Sequence, residues 1–184
     1  MSNLFNQKSF YLSVTFGILC FLSCGEEMNK TKKVIYQGPA SEQYDVELNF
    51  TDSARTVLKL ITPVQLTLEN QNKIYPKKVE IFFHERSTGM LTATMTGDSA
   101  KYLKTENIYL VTGHVVIKTQ KNETLKTDEI TWKIDKKIIT TDKPVELETP
   151  KEKLYGTGMD ANQDFTQYTL RNPRGTVQVD NFPQ

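Results

Sequence analysis

Hydrophobic and polar residues alternate with a period of two along nearly the whole chain from Tyr44 onward. One apolar face is formed by Val79, Ile81 and Phe83, and residues 127–150 contain two further runs of the same kind. A period of two is typical of strands that have one buried and one solvent-exposed face. The pattern therefore predicts an all-β fold built from short antiparallel strands.

A helix is difficult to place anywhere in the chain. The best candidate is the segment 51–60, in which Asp52 or Ser53 has the side chain of a helix N-cap. The apolar residues at the end of this segment, together with the following TPVQLTL, fit a strand interrupted at Pro63 better. We therefore expect helix to be confined to at most a turn or two.

The strand pattern repeats with a spacing of 30 residues. The pairs that show it are Ala100-x-Tyr102 with Ile130-x-Trp132, Ile108-x-Leu110 with Ile138-x-Thr140, and Gly113-x-Val115 with Lys143-Pro144-Val145. A single two-stranded unit is marginally stable in water, so stacked copies must share one sheet and one core. An ordinary antiparallel meander also produces such spacings by accident, and the spacing alone leaves that alternative open.

The N-terminus has a different character. After a short start with Lys8 as its only charge, residues 10–22 form an uncharged, mostly apolar run that ends at Ser23 and Cys24. This length is typical of a secretory signal peptide and is short for a membrane span. The ending resembles the bacterial lipoprotein lipobox, with Phe21 in place of the usual Leu, and by that resemblance Cys24 becomes the lipid-modified first residue. A plain signal peptide or an uncleaved membrane anchor, with Cys24 an ordinary thiol, is the alternative.

Composition and charge exclude several classes of function. The chain has 184 residues, a length that fits one domain. Its formal net charge of +1 lacks the basic excess that a nucleic-acid binder needs. The candidate catalysts are two histidines, His84 and His114, and the sequence contains no phosphate-binding loop and no HExxH motif. Lipidation of Cys24 would leave no thiol for a nucleophile or a zinc site. The sequence predicts neither an enzyme nor a cofactor or metal.

Five short motifs follow one another along the repeats. They are GDSAKY at 97–102, NIYLVTGHVVI at 107–117, LKTDEITW at 125–132, IITTDKPV at 138–145 and LYGTGMDA at 154–161. The ordered set resembles the lipopolysaccharide-transport repeat, and specifically the LptC family, over roughly residues 45–180. The segment 44–78 matches the pattern poorly, so the region expected to meet the exporter has the least support.

The resemblance implies a single twisted β-jellyroll, open along one side and apolar inside. Family members receive lipopolysaccharide from the subunits of an inner-membrane ABC exporter. They pass it to a periplasmic bridge protein of the LptA type by joining sheet edges. The familiar form keeps an uncleaved N-terminal helix, whereas this chain has the features of a lipoprotein. We therefore predict a lipoprotein signal peptide over 1–23, a tether over 24–43 and an LptC-like domain over 44–184.

The faces with a period of two supply the lining that a lipid groove needs. The inward positions expected from the alternation are Phe83, Met95, Tyr102, Leu110, Ile117, Trp132, Leu147 and Leu170. A lipid chain gains roughly 0.8 kcal/mol for each buried methylene, so even partial insertion would retain it. The alternative at every position is packing in a closed core, because protein interiors and lipid pockets use the same residue types.

An open jellyroll also has free strand edges, and the first and last strands are the candidates for joining partners. The residues concerned are Asp45, Val46, Leu48 and Phe50 on the incoming edge and Thr176, Val177 and Val179 on the outgoing edge. The alternative is that these strands are edges only because the chain ends there. Gly156 and Gly158 leave one sheet face without side chains, which permits close approach of backbone or ligand, or marks a bend.

Two functions from different classes follow. The first is a non-enzymatic lipopolysaccharide carrier, lipid-anchored at the periplasmic face of the inner membrane of a Gram-negative bacterium. The second is a structural or partner-binding β-repeat lipoprotein that carries no lipid. They differ in what the interior holds.

Overall fold

The structure, a computed structural model, describes residues 38–177, and all regular secondary structure in this range is β-strand. The strands are β1 (Ser41–Asp52), β2 (Arg55–Thr67), β3 (Lys73–Tyr75), β4 (Val79–His84), β5 (Leu91–Gly97), β6 (Ser99–Leu103), β7 (Ile108–Thr119), β8 (Thr124–Lys133), β9 (Ile138–Thr141), β10 (Val145–Glu148), β11 (Glu152–Gly156), β12 (Gly158–Asn162), β13 (Tyr168–Arg171) and β14 (Arg174–Val177). Every pairing is antiparallel, so the all-β prediction is confirmed. No helix in the described range is long and apolar enough to cross a membrane.

Three long strands change partners part-way along their length. β2 pairs with β4 through residues 58–61 and with β3 through 66–67, and β7 pairs with β6 through 108–112 and with β5 through 116–119. β8 divides in the same way between β10 and β9. The 14-stranded sheet is thereby folded into two halves: half A contains β3, β6, β9, β12 and β13, and half B contains β4, β5, β10, β11 and β14.

The chain crosses between the halves along one side of the domain, which we call the closed side. Neighbouring crossings are joined by backbone hydrogen bonds: the N–H of Asp98 donates to the carbonyl of Gly113 at 2.9 Å, and that of Thr157 donates to the carbonyl of Arg171 at 2.9 Å. Gly113 and His114 have φ of 78° and 43° and form the bulge at which β7 changes halves. A glycine suits such a bulge because it has no Cβ to clash at positive φ.

The turns of half A form a second row, on the side that we call the open side. The N–H of Ile134 donates to the carbonyl of Asn107 at 3.3 Å, and the N–H of Gln163 donates to the carbonyl of Lys137 at 3.0 Å. Successive turns of half A are therefore neighbours. The turns of half B, such as the one between β4 and β5, end on the same side, but the chain makes no crossing there.

The strands follow the 30-residue spacing seen in the sequence. β9 begins at Ile138 and β13 begins 30 residues later at Tyr168, and the two strands are equivalent members of successive repeats in half A. Each repeat supplies two strands to one half and then two to the other. In the described residues β1 pairs only with β2, β13 only with β12 and β14 only with β11, so the sheet is not a closed barrel. This arrangement is consistent with the predicted open jellyroll.

The core lies between the two halves and both contribute to it. Its largest fully buried side chains are Tyr75, Phe83, Leu58, Leu60, Ile81, Met95, Ile117, Ile130, Ile139 and Met159. Most of these residues alternate along their strands with less buried residues, many of which are Thr, Lys or Glu, as a period of two requires. The amphipathic strands therefore account for the core directly.

The N-terminal hairpin departs from the sequence-based expectations in three details. β1 begins at Ser41, inside the predicted tether, because an edge strand needs only backbone pairing and tolerates polar residues. Residues 51–60 form the end of β1, the β1–β2 turn and the start of β2, with Ser53 and Ala54 at φ of 53° and 63°. β2 runs through Pro63 without a break, since Pro63 sits where no ladder bond to β3 or β4 is needed.

Candidate functional site

Most of the predicted groove residues lie inside the domain. Phe83, Met95, Ile117, Trp132 and Leu147 are all at most 3% exposed and belong to one continuous core. Tyr102 and Leu170 are half-buried and pack against that core from its two ends. The middle of the interior is thus filled by the protein's own side chains, and only its ends offer accessible apolar surface.

Leu110 does not face the interior, which corrects the sequence-based expectation. Tyr109 and Val111, its neighbours in β7, are buried, so Leu110 points to the opposite face and is half-exposed. It pairs with Lys101 on β6. The alternation in β7 was assigned one residue out of phase because the run from Ile108 contains apolar residues on both faces.

An aromatic cluster occupies the centre of half A. Tyr109 stacks on Trp132 with ring centroids 5.3 Å apart, and Phe50 from β1 meets both rings edge-on, at 5.8 and 5.5 Å. Tyr102 packs 4.8 Å from Tyr109 on the other side. Burial raises the pKa of Tyr109 to about 12, so its hydroxyl stays neutral. Because Phe50 belongs to the first strand, the cluster ties the N-terminal edge to the middle repeat.

The first of two openings, the C-terminal cavity, lies between β11 and β13. Its volume is about 620 Å³, and its apolar lining includes Leu147, Leu154 and Leu170. Glu123 contributes to its polar rim, and both burial and a hydrogen bond to Glu123 raise the pKa of Tyr168. The volume lies within the range of ligand sites, and the lining is mainly apolar with a few polar groups, as such sites require.

The second opening, the N-terminal cavity, lies among the half-A turns beside β1. Its volume is about 540 Å³. Phe50, Tyr102 and Ile134 provide its apolar surface, and Lys73 and Lys104 are its charged lining residues. This cavity therefore combines aromatic surface with positive charge.

The tip of the β1–β2 hairpin separates the openings. Asp52 accepts ion pairs from Arg86 at 2.7 Å and from Lys137 at 3.2 Å, which joins half B to half A across the open side. A hydrogen bond from Lys137 is the main cause that holds the pKa of Asp52 below its usual range. Phe165 packs edge-on against Phe83 at 5.0 Å in the same region. These side chains therefore link the two halves on the open side of the domain.

The predicted partner edges fall at the ends of the sheet. On β1, Val46, Leu48 and Phe50 are half-buried, whereas Asp45 is exposed and has φ of 52°. On β14, Thr176 is exposed and pairs with Lys153. The backbone of Val177 pairs with Glu152, and Val179 lies outside the described residues. β13 is a further free edge that the sequence did not suggest. Whether partners join any of these edges stays a prediction.

Gly156 and Gly158 flank the crossing from β11 to β12, where the backbone passes very close to other parts of the chain. A Cβ on Gly156 would come within 2.8 Å of Leu170 Cδ2, and one on Gly158 within 2.7 Å of the carbonyl oxygen of Thr141. The space beside both glycines is therefore occupied by the protein itself. The close approach is one of backbone and side chain, and it leaves no room for a ligand.

The two histidines lie on different sides of the domain. His114 is on the closed side with its Nδ1 2.6 Å from Asp98 Oδ2, and its side chain is 89% exposed. His84 ends β4 and lines a small cavity next to Asp52. In residues 38–177 no group of three His, Cys, Asp or Glu residues could hold a metal ion. Cys24, the predicted lipidation site, lies outside the described residues.

Comparison with known proteins supports the resemblance found in the sequence. A profile of the family described as "Lipopolysaccharide-assembly, LptC-related" matches residues 62–177, well over half of the chain. No curated protein matches the chain. The matched range begins within β2 and ends with β14, so it leaves out β1. It covers the C-terminal cavity and all lining residues of the N-terminal cavity except Phe50. The chain therefore belongs to the LptC-related family of lipopolysaccharide-assembly proteins, which are non-enzymatic transport components of the Gram-negative cell envelope.

Proposed function

We propose that this protein carries lipopolysaccharide from an inner-membrane ABC exporter to a periplasmic bridge protein of the LptA type. The observation that supports it most directly is the C-terminal cavity, an apolar opening at the end of the interior between the free edges of the two halves. A cavity that ends beside unpaired strands gives a lipid a continuous path into a neighbouring jellyroll. Family membership gives the lipid class.

The cavity can hold a lipid without trapping it. Leu147 is buried, while Leu154 and Leu170 are half-buried and give apolar contact at the opening. Each methylene that enters gains roughly 0.8 kcal/mol, so a few methylenes of an acyl chain are enough for retention. Because the packed middle limits how far a chain can enter, release to the next protein remains possible.

Strand addition is the proposed mode of transfer. β14 and β13 each have one unpaired edge in the described residues, and each belongs to a different half. A bridge protein that pairs with these strands would extend both halves and continue the interior. On the same reasoning β1 is the edge that receives lipid from the exporter.

The proposal includes membrane attachment through Cys24, at the periplasmic face of the inner membrane. Replacing Cys24 by Ala should release the protein from membranes in cell fractionation. Retention of Cys24→Ala in the membrane fraction would instead favour an uncleaved N-terminal helix. This test is independent of lipid transport.

Site-specific photo-crosslinking in cells tests the transport itself. A photoreactive amino acid at Leu170, which lines the C-terminal cavity, should capture lipopolysaccharide. The same amino acid at Leu110, on the outer face of β7, is the matched control and should capture much less. The two positions replace the same residue type and differ in the surface they report.

Absence of lipopolysaccharide capture at Leu170, or equal capture at both positions, would contradict the carrier function. The protein would then be a structural or partner-binding β-repeat protein without lipid cargo. The filled middle of the interior makes this the second candidate, because a domain that only supports partners needs nothing beyond a packed core.

A further inference from the structure

Lys73 places a positive charge on the core-facing side of β3. Tyr75, two residues further along the strand, is fully buried, and residues two apart in a strand share a face. Lys73 is half-buried and lies directly opposite Tyr102 on β6. An ammonium group at a core-facing position is costly to desolvate unless an anion accompanies it. A negatively charged group next to Lys73 would therefore be stabilised.

Lys104 adds a second positive charge to the same rim. It stands two residues after Tyr102, just beyond the end of β6, and lines the N-terminal cavity together with Lys73. Its backbone N–H donates to Asn72 Oδ1 at 2.9 Å, which fixes the start of this turn against the turn between β2 and β3. Both lysines are thus attached to well-defined backbone.

Among the residues that the structure describes, no acidic side chain forms an ion pair with either ammonium group. Within residues 38–177 neither lysine takes part in an ion pair, and the lining of the cavity contains no Asp or Glu. The carboxylate of Asp135, close to the rim, accepts a hydrogen bond from Asn107 Nδ2 at 2.6 Å. The N-terminal cavity therefore combines two positive charges with a lining of aromatic side chains.

The C-terminal cavity has the opposite character. Glu123 and Glu152 line it, with Lys151 as its single basic residue. A negatively charged group is accordingly attracted to one opening of the interior and disfavoured at the other. The difference in charge gives the two openings different roles.

We propose that the N-terminal cavity binds the phosphate-bearing headgroup of an acylated lipid. Lys73 and Lys104 hold the phosphate, since each ammonium offers three donors to its oxygens. Phe50 and Ile134 receive the adjoining part of an acyl chain. The inference rests on the proposed function and deepens it: it makes this opening the entry site and the phosphate the group recognised there.

Binding of purified lipid A to the full chain tests the inference. The single tryptophan, Trp132, stacks on Tyr109, which also lines the cavity, so its fluorescence reports binding. The variant Lys73→Gln/Lys104→Gln should bind bisphosphorylated lipid A about tenfold more weakly than the unaltered protein, because two charge-assisted contacts are lost. The control variant, Lys118→Gln/Lys133→Gln, loses the same charge from two exposed strand positions and should bind normally.

The ligand series separates the sources of phosphate. Lipid A with its phosphates removed should bind the unaltered protein and the cavity variant with the same, weaker affinity. Inorganic phosphate alone should neither bind measurably nor compete. Strong competition by inorganic phosphate would overturn the headgroup assignment, because the site would then recognise the free ion.

The failure of the inference differs from the failure of the proposed function. If both double variants bind bisphosphorylated lipid A as the unaltered protein does, the two lysines do not form a headgroup site, and the carrier function stands. If the unaltered protein binds no form of lipid A, the carrier function fails together with the inference.

Discussion

The closed side and the open side bound the same interior but are built from different interactions. On the closed side the backbone itself passes between the halves, as at the Gly113 bulge and the crossing at Thr157. On the open side, residues 38–177 bring the halves together through side chains, among them the ion pairs of Asp52 and the contact of Phe165 with Phe83. The interior can therefore open along one side without breaking the sheet.

This difference assigns distinct energetic roles to the two sides. Separating the halves on the closed side would require the loss of many backbone hydrogen bonds and of the fold with them. Separation on the open side removes ring contacts and partly exposed ion pairs, which are weak individually, and it exposes the neighbouring part of the apolar core. Entry of a lipid is consequently expected from the open side and the ends.

The largest effect is expected from Trp132→Ala, which removes the ring that joins half A to Phe50. Trp132 is 3% exposed, and truncation of such a residue typically costs about 3–5 kcal/mol of unfolding free energy. Urea denaturation measures the loss. The control Leu110→Ala, on the outer face of β7, should lose much less unfolding free energy than Trp132→Ala. Equal losses from both variants would mean that the centre of the interior is not the packed core described.

A smaller loss is expected from Phe165→Ala on the open side. Phe165 is buried in the turn between β12 and β13, and its ring covers Phe83. Because the residue lies in a turn that can partly collapse, we expect a cost of about 2–3 kcal/mol, below the usual core value. Hydrogen exchange should accelerate in the half-A turns, while the closed-side strand positions near Gly113 keep their protection. Loss of protection on both sides would show that the sides do not open independently.

The comparison also explains which features could be predicted from the sequence. The strands and the inner positions of Phe83, Met95 and Ile117 follow from the sequence, because the alternation of apolar and polar residues within a strand shows which of its faces is buried. The pattern failed only in the first half of β7, at Leu110, because Ile108 to Val111 are apolar on both faces and pairing with β6 and β8 decides which side is inside.

The openings could not be predicted in the same way, because they depend on contacts between residues far apart in sequence. The contact of Asp52 with Lys137 spans 85 residues and links the halves on the open side, yet nothing in the sequence indicates that these two residues meet. The sequence does place Lys73 two positions before Tyr75, a spacing that in a strand puts both side chains on one face. The charge of Lys73 marks a candidate binding site only because the fold pairs β3 with β6 and places Lys73 opposite Tyr102.

A local effect is expected from Asp52→Asn, which removes the charge that holds the hairpin tip to Arg86 and Lys137. Hydrogen exchange should become faster at the β1–β2 turn and in the turn before β9, with little change in global stability, because the ion pairs are largely exposed. Lys59→Gln, which breaks the pair with Glu47 inside the hairpin, is the control and should leave the turn before β9 unchanged.

Acid should reproduce the effect of Asp52→Asn. The pKa of Asp52 is lowered in the folded protein, so its contribution is present above its ordinary pKa of 3.8 and is lost as the pH falls through the folded value. Exchange at the hairpin tip should therefore accelerate at low pH in the unaltered protein by more than in Asp52→Asn. An identical pH response in both would contradict a role for this carboxylate in holding the open side.

The smallest effect is expected on the closed side, at His114 and Asp98. A hydrogen bond and the charge of Asp98 raise the pKa of His114 above its ordinary value of 6.5. The pair then stabilises the fold fully below pH 6.5, and this contribution is lost as the pH rises through the folded pKa of His114. NMR titration of the imidazole in Asp98→Asn should return its pKa towards 6.5. Because both side chains are exposed and the crossing is held by backbone, the melting temperature should hardly change with either protonation state. A large pH-dependent loss of stability in Asp98→Asn would instead show that side chains hold this side together too, and the distinction between the two sides would fail.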